Sequence, residues 1–364
     1  MEASILIQGS GPLTGVTVLD LTRLLPGPFC AWLLRSWGAR VIKVEDLQAG
    51  DYLREAQPVW FEHLNAGAES VALDLKHPRG REVFLRLVVD ADVVLEGFRP
   101  GVLDRLALGF EELSVVNPRV VLTSISGYAA DSGLGDRAGH DLNYLARSGL
   151  LSLMGEVPPV QLADLAGGLT AAAGTLAAVV GARATGLGSH VEASLYDAVV
   201  GLGAVLAAEA RAGVELRRDA MPLAGGWPCY SVYATADGGR VTLGALEAKF
   251  WHRFCQAVGR VDWVERHLDP TMRAELSHLF ASRSLQDWAA LGEFADCCLE
   301  PVRSVADAAA ERGHDQPVCF DGHRPAATGP APVRGEQTCE ILRDHGYSEQ
   351  EILTLAAEGV IPPV

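Results

Sequence analysis

Short apolar segments alternate with helical segments through the first 125 residues of this chain. Five segments are apolar and rich in β-branched residues, as buried parallel strands are: 16–19, 41–44, 70–75, 91–95 and 120–125. Segments with helical spacing lie between them, at 29–37, 79–88 and 99–106. Strands and helices that alternate in this way predict an α/β fold with an open parallel sheet and right-handed connections.

The second half of the chain has a different pattern. Two segments rich in Ala and Leu, 165–182 and 193–210, indicate helices that are buried on most faces. A second unit begins near residue 221, and Ala236-Asp237-Gly238-Gly239 between two β-rich segments predicts a hairpin. Residues 312–335 hold many Gly and Pro and indicate a linker. Further helices are expected at 247–258, 273–281, 284–295, 338–346 and 348–358.

Composition narrows the classes of partner and compartment. The chain has 364 residues, a hydrophobic content of 49% and a formal net charge of −16, which argues against a basic nucleic-acid-binding surface. Its seven Cys form no Cys-x-x-Cys pair, which fits a reduced compartment. The first residues lack a basic region followed by an apolar core, and 165–182 is interpreted as a buried helix. We therefore expect a cytoplasmic protein that binds neither membrane nor nucleic acid.

Three common kinds of site are unsupported by the sequence. No Gly-x-Gly-x-x-Gly follows the first strand, so a nicotinamide cofactor is not expected. No third ligand stands at a recognisable spacing from the adjacent His140 and Asp141, so no metal site is expected. A Gly-x-Ser-x-Gly elbow for a serine nucleophile is also missing.

His140 and Asp164 are the main candidates for chemistry. His140 lies in Gly-His-Asp-Leu-Asn-Tyr, and Asp164 precedes Leu-Ala-Gly-Gly. An imidazole and a carboxylate can remove and deliver a proton on opposite faces of one carbon acid, whereas a carboxylate alone can attack a thioester. Each residue taken singly also fits a structural role, His140 in a capping loop and Asp164 as a helix N-cap. The residues by themselves leave these alternatives open.

The order and spacing of several sequence blocks resemble the family III CoA-transferases, which include the α-methylacyl-CoA racemases. The resemblance spans roughly residues 11–360. His140 lies in a Gly-His-Asp-x-Asn-Tyr block of the racemase branch, and 296–302 and 95–101 also resemble that branch. The blocks that carry the resemblance are 15–21, 37–45, 72–76, 91–102, 126–128, 139–144, 185–188, 244–247 and 301–302.

The resemblance implies an architecture as well as a reaction. Members of this family are interlocked homodimers with a Rossmann-like large domain, a smaller domain and a C-terminal segment that returns to the large one. By this resemblance, residues 1–215 are expected to form the first part of a large Rossmann-like, CoA-binding domain. Residues 216–325 would form a smaller α+β domain, and 326–364 the return segment.

The resemblance also assigns roles to individual residues. Asp164 matches the aspartate that transferases and racemases share, His140 matches the racemase histidine, and Glu247 matches a glutamate that hydrogen-bonds this histidine. The implied reaction is inversion of the α-carbon of 2-methyl-branched acyl-CoA thioesters through an enolate, without a cofactor. Two alternatives remain: a CoA-transferase in which Asp164 is the nucleophile, and an acyl-CoA-binding protein without catalysis.

Residues for binding the CoA thioester follow from the same resemblance. Lys43 and Arg99 match positions that contact CoA, and Asp141 and Tyr144 are expected beside the thioester. Backbone N–H groups at a helix start near Gly167 are expected to bind the enolate oxygen. The chain departs from the family at 65–69, where Asn-Ala-Gly-Ala-Glu replaces a segment that often reads Asn-Arg-Gly-Lys. Two basic side chains are thus lost from the expected CoA site.

Overall fold

The computed structural model describes residues 11–218, 220–324 and 329–364. The chain divides into two compact units, one formed by Met1–Ala204 with Gln316–Val364 and the other by Val205–Asp315. The boundaries expected from the sequence, 215 and 325, lie later in the chain than these. The larger unit is therefore built from both ends of the chain, and the smaller unit from one continuous segment.

The large unit contains a six-stranded parallel sheet with the strand order β3-β2-β1-β4-β5-β6. The sheet confirms the predicted α/β fold with an open parallel sheet. The order reverses direction between β1 and β4, the place where open sheets of this kind bind ligands. The strands are β1 Thr17–Asp20, β2 Arg40–Glu45, β3 Glu69–Ala72, β4 Val93–Glu96, β5 Val121–Ser126 and β6 His190–Ser194.

Helices cover both faces of this sheet. The helices of the large unit up to residue 202 are α1 Pro26–Ser36, α2 Leu53–Ala56, α3 Pro58–Asn65, α4 Pro78–Val88, α5 Val102–Arg105, α6 Phe110–Val116, α7 Asp141–Ser148, α8 Leu150–Met154, α9 Leu162–Thr185 and α10 Leu195–Leu202. The next helix, α11 Ala204–Arg211, begins at the boundary of the two units and belongs to the small unit from Val205 on. Alternate strand residues point to opposite faces. Val18 and Val93 accordingly join a core with α1 and α9, whereas Leu19 and Val94 join a core with α4.

Two elements differ from the sequence-based expectation. Residues 193–210 were expected to form one helix, but His190–Ser194 is the edge strand β6 and two helices follow it. Ser194 separates strand from helix because its hydroxyl accepts a hydrogen bond from the Asp197 N–H at 3.1 Å and caps α10. Helix α9 begins at Leu162, three residues before the expected 165.

Helix α9 is long and apolar enough to cross a membrane, judged by length and composition alone. It packs against α1, α10 and β5 in the large unit, and its first turn carries Asp164. Core helices commonly share this composition.

The small unit is built around a three-stranded antiparallel sheet, with order β7-β8-β9. The predicted hairpin is confirmed: β7 Tyr230–Ala234 pairs with β8 Arg240–Gly244, and Gly238 in the turn has a φ of 80°. Its other elements are β9 Leu299–Pro301, α12 Ala248–Ala257, α13 Met272–Phe280, α14 Leu285–Ala295 and α15 Val305–Arg312.

The C-terminal segment returns to the large unit along β3, the edge strand opposite β6. The Gln337 side-chain oxygen accepts a hydrogen bond from the Ser70 N–H at 2.8 Å, and the Thr338 hydroxyl accepts one from the Ala72 N–H at 3.0 Å. Helices α16 Thr338–Asp344 and α17 Glu349–Ala357 then pack on the core shared with α4. The predicted capping box at the start of α17 is present, with Ser348 as the N-cap.

Candidate active site

A cavity of about 520 Å³ lies at the carboxyl edge of the large sheet and contains both His140 and Asp164. Its walls come from the loops after β1, β4 and β5 and from the starts of α7, α9 and α10. Open α/β sheets bind ligands at this edge, next to the point where the strand order reverses. The fold thus brings the two main candidates together. Within the described residues, no group of three His, Cys, Asp or Glu side chains is arranged to hold a metal ion.

His140 is the N-cap residue of α7. Its backbone is extended, with φ −127° and ψ 172°, and its N–H donates to the Asn143 side-chain oxygen at 3.0 Å. In the preceding segment, Gly135 and residues 137–139 line the cavity. Asn143 therefore fixes the backbone of His140, and the exposed imidazole lines the cavity.

Asp164 lies in the first turn of α9 and is partly buried. Burial, and secondly the negative charge of Asp141, raise the pKa of its carboxyl group to about 7, from an ordinary value of 3.8. A carboxyl group with this pKa exchanges its proton near neutral pH. It can therefore act either as an acid or as a base.

Asp141 and Tyr144 support the loops around these two residues. The Asp141 carboxylate accepts hydrogen bonds from the N–H groups of Ala163 at 2.6 Å and Asp164 at 3.1 Å. The Tyr144 hydroxyl donates to the Gly139 carbonyl at 2.7 Å, and burial raises the pKa of this phenol to about 12. Tyr144 also lines the cavity, whereas the contacts of Asp141 are with protein backbone. Their contact with a thioester stays a prediction.

Lys43 occupies a different environment from the one expected of a CoA ligand. It is completely buried, and its ammonium group lies 3.3 Å from the Asp20 carboxylate and 3.1 Å from that of Asp51. It also donates to the Thr22 carbonyl at 3.0 Å. Burial alone would lower the pKa of Lys43, but the neighbouring carboxylates outweigh it and raise the pKa. The structure gives no support to a direct CoA contact, because this charge is neutralised inside the protein.

Gly167 does not lie at a helix start, where the donors for an enolate oxygen were expected. Helix α9 begins at Leu162, so Gly167 lies in its second turn, where its N–H is committed to the helical hydrogen bond. The missing side chain of Gly167 instead permits close packing of α9 on α10, because a Cβ there would lie 2.2 Å from a Leu195 methyl group. Gly168 is close to α1 in the same way, with the Pro26 carbonyl 2.5 Å from a built Cβ.

Arg99 lines the cavity as expected, and two arginines that the sequence analysis missed line it too. Arg23 follows β1 and donates to Asp46 at 2.9 Å, and Arg137 lies three residues before His140. Within the described chain, no ion pair is found for Arg99 or Arg137. Position along the chain was the available signal, since Arg23 follows the first strand as Arg99 follows the fourth.

A second cavity, of about 600 Å³, adjoins the first, and Arg23 and Phe98 belong to the walls of both. It lies beyond the ends of β1, β2 and β3. Its apolar wall includes Leu21, Val44, Leu73 and Leu75, and Lys76 also lines it.

The departure from the family at residues 65–69 has a local structural counterpart. Glu69 receives two hydrogen bonds from the Arg40 guanidinium, both at 2.7 Å, across the β2–β3 edge. Gly67 has a φ of 77°, and its N–H donates to the Pro330 carbonyl of the return segment. The altered segment therefore supports the attachment of β3 and the C-terminal segment.

Glu247 lies in the small unit, at the N-cap position of α12. Its backbone carbonyl accepts hydrogen bonds from the N–H groups of Phe250 and Trp251. The predicted hydrogen bond between Glu247 and His140 stays a prediction.

Comparison with known proteins gives a consistent assignment. The model of CoA-transferase family III matches residues 13–336. The chain is 34% identical to the α-methylacyl-CoA racemase of Homo sapiens, across 96% of this chain and 97% of the human one. It is 29% identical to the succinyl-CoA:glutarate CoA-transferase of Mus musculus, across 96% and 90% of the two chains.

Solved structures agree with the sequence comparison. The crystal structure of Rv3272 from M. tuberculosis superimposes with a TM-score of 0.79 at 27% identity, covering 91% of this chain and 99% of that one. A CAIB/BAIF family protein from Brucella suis gives the same TM-score of 0.79 at 26% identity, covering 92% and 100%. The matched family model, the relatives and the shared fold together show that this chain belongs to CoA-transferase family III.

Proposed function

We propose that this protein inverts the α-carbon of 2-methyl-branched acyl-CoA thioesters by 1,1-proton transfer, with His140 and Asp164 as the two acid/base groups. The observation that carries the proposal is that both side chains line one cavity, in which burial and the charge of Asp141 bring the pKa of Asp164 to about 7. A free imidazole has a pKa of about 6.5. An imidazole and a carboxyl group that line one cavity can exchange acid and base roles for the two enantiomers.

The same pKa favours proton transfer over covalent catalysis. A carboxyl group that attacks a thioester must be ionised, and a pKa of about 7 leaves Asp164 protonated in a large fraction of molecules at neutral pH. In proton transfer, by contrast, one member of the pair must be protonated in each direction. General acid–base groups of this kind each contribute about 10²–10⁴ in rate.

The thioester substrate would lie along the carboxyl edge of the sheet. Its acyl end would occupy the cavity that holds the acid/base pair, and its nucleotide the second, more apolar cavity. Arg23, which borders both cavities, and the nearby Arg99 and Lys76 supply positive charge for the phosphates. Other family members often carry two basic side chains at the segment that matches residues 65–69, and this chain lacks them. We propose that these three cations replace part of that contribution to CoA binding.

The proposal includes an interlocked homodimer, in which Glu247 hydrogen-bonds a catalytic histidine. The large unit has exposed apolar side chains suited to a subunit interface, including Leu169 at 55%, Val180 at 68% and Leu202 at 62% exposure. Light scattering after size-exclusion chromatography measures the oligomeric state directly. A monomer at micromolar concentration would contradict this part of the proposal.

The decisive experiment is exchange of the α-proton in D₂O with a panel of 2-methylacyl-CoA thioesters. We expect wild-type exchange, a loss of at least about 10²-fold in His140→Ala and a similar loss in Asp164→Asn. His278→Ala is a matched control, because this exposed histidine lies on α13 in the small unit. Unchanged exchange in His140→Ala would contradict the proposal.

A parallel assay distinguishes CoA transfer. Transfer of CoA to free carboxylic acids, with hydroxylamine-sensitive labelling of Asp164 and full activity in His140→Ala, would identify a transferase. If both assays are negative while acyl-CoA binds, the protein is an acyl-CoA-binding member of the family.

A further inference from the structure

Asp141 joins the two segments that carry the acid/base pair. It is the first residue of α7, directly after His140. Its side chain reaches the start of α9, where one carboxylate oxygen accepts the N–H groups of Ala163 at 2.6 Å and Asp164 at 3.1 Å. One carboxylate therefore links the backbone beside His140 to the backbone of Asp164.

We propose that Asp141 is a positioning residue that holds Asp164 in register with His140 and places a fixed negative charge beside it. The inference rests on the proposed function and deepens it, since Asp141 acts through Asp164. Its contacts are with backbone N–H groups, so it is distinct from the groups that exchange the proton.

The first N–H groups of an α-helix have no partner within the helix. A neutral oxygen would satisfy them as well as a carboxylate does. A carboxylate adds a charge, and a like charge nearby disfavours ionisation of a second carboxyl group. Burial first and Asp141 second raise the pKa of Asp164. Both effects keep a proton available for delivery to the substrate at neutral pH.

Several other charged and titratable groups belong to the same cavity or to neighbouring elements. Arg23, Arg99 and Arg137 line the same cavity, together with His140 and Tyr144. From the packed elements, α1 contributes the buried Cys30, α10 the exposed Asp197, and β1 ends at Asp20, which Lys43 neutralises. Among these charged groups, Asp141 is the one whose charge raises the pKa of Asp164.

The test compares the pH dependence of α-proton exchange in wild type, Asp141→Asn and Asp141→Glu. In Asp141→Asn the amide oxygen still accepts both N–H groups, but the negative charge is gone. The pKa of Asp164 then falls, so the singly protonated pair loses its proton at lower pH. We expect the limbs of the pH–rate profile to move down by about one pH unit. Exchange at pH 8 should fall more than exchange at pH 6, with little change in Tm.

Two variants control for other effects of the substitution. Asp136→Asn removes the same charge from the exposed segment before His140, without a wall position in the cavity, and should leave the limbs unmoved. Asp141→Glu keeps the charge and should keep the wild-type limbs, even if its rate falls. A uniform fall in rate with unmoved limbs in Asp141→Asn, or the same limb shift in Asp141→Glu, would overturn the inference.

A second readout does not depend on turnover. Labelling of Asp164 by a water-soluble carbodiimide, followed by peptide mass across a pH series, reports the titration of this carboxyl group. Its midpoint should be lower in Asp141→Asn than in wild type, and an unchanged midpoint would overturn the inference. Absent exchange in wild type, with a shifted midpoint, would contradict the proposed function and leave the role of Asp141 supported.

Discussion

Lys43 and Asp20 are paired residues of neighbouring parallel strands, and their side chains form a buried ion pair at 3.3 Å. Asp51 completes the cluster from the other side, at 3.1 Å from the same ammonium group. Thr22 and Leu24, in the loop that lines the candidate active site, are bound to this cluster through the Thr22 carbonyl and the Leu24 N–H. The cluster thus connects the centre of the sheet to the wall of the cavity.

Replacing Lys43 by Met should destabilise the protein strongly. The change leaves two buried carboxylates without a cation, and breaking a buried ion pair in this way costs about 3–5 kcal/mol. Urea unfolding measures the loss. Lys76→Met is the matched control, because Lys76 is exposed and should change the free energy of unfolding by less than about 0.5 kcal/mol. Equal effects of the two substitutions would contradict the buried cluster.

Asp164 should lower stability as its carboxyl group ionises. Because its pKa is raised in the folded state to about 7, the folded state holds this proton more tightly than the unfolded state does. The carboxyl group therefore costs stability progressively as pH rises from about 4 to 7. Asp164→Asn should be more stable than wild type at pH 8, by about 1–3 kcal/mol, and similar to it near pH 4.5. Thermal unfolding at both pH values tests this, and a difference independent of pH would contradict it.

Gly168 should be intolerant of a side chain. A Cβ there would lie 2.5 Å from the Pro26 carbonyl and 3.0 Å from Phe29, so Gly168→Ala must move α9 away from α1. We expect a loss of about 1–3 kcal/mol, together with reduced proton exchange, because Asp164 lies one turn away on the same helix.

Gly181→Ala is the matched control on α9. No atom of the described chain lies within 4 Å of a Cβ at Gly181, so alanine should stabilise the helix by about 0.5–1 kcal/mol. Chemical unfolding of both variants gives the comparison. The same sign of change in the two variants would contradict the packing argument.

Leu24 has a left-handed backbone, with φ 66°, at the wall of the cavity. This conformation costs a non-glycine residue about 1–2 kcal/mol, and β-branched residues tolerate it least. Leu24→Val should therefore lower Tm, whereas Leu24→Gly should leave Tm close to that of wild type. A lower Tm for Leu24→Gly than for Leu24→Val would show that side-chain packing outweighs backbone strain.

Much of the large unit was predictable because each parallel strand is apolar and short. Strand β6 was missed because His190 and Glu192 interrupt its apolar pattern at the sheet edge, where one side is open to solvent. The adjoining Ala-rich segment made a helix the better local match. The return of residues 316–364 to the large unit also has no local signal, because it depends on contacts between segments far apart in the chain.

The sequence predicted that His140 and Asp164 lie in one site, but it predicted the residues around them less well. His140 and Asp164 line one cavity, as expected of residues in one site. Lys43 could have been recognised as buried, since it lies in a central strand of a parallel sheet covered on both faces. Gly167 was expected at a helix start because the start of α9 was placed too late, and the end of a helix is the least reliable part of its prediction.

The attachment of the return segment to β3 affects how the chain can fold during synthesis. Gln337 and Thr338 supply the acceptors for two edge N–H groups of β3, yet the ribosome makes them more than 260 residues after Ser70 and Ala72. An open strand edge can pair with other chains. The edge of β3 in the nascent large unit therefore stays unprotected while residues 205–315 are synthesised. Slow translation of that segment should increase the dependence of the protein on chaperones.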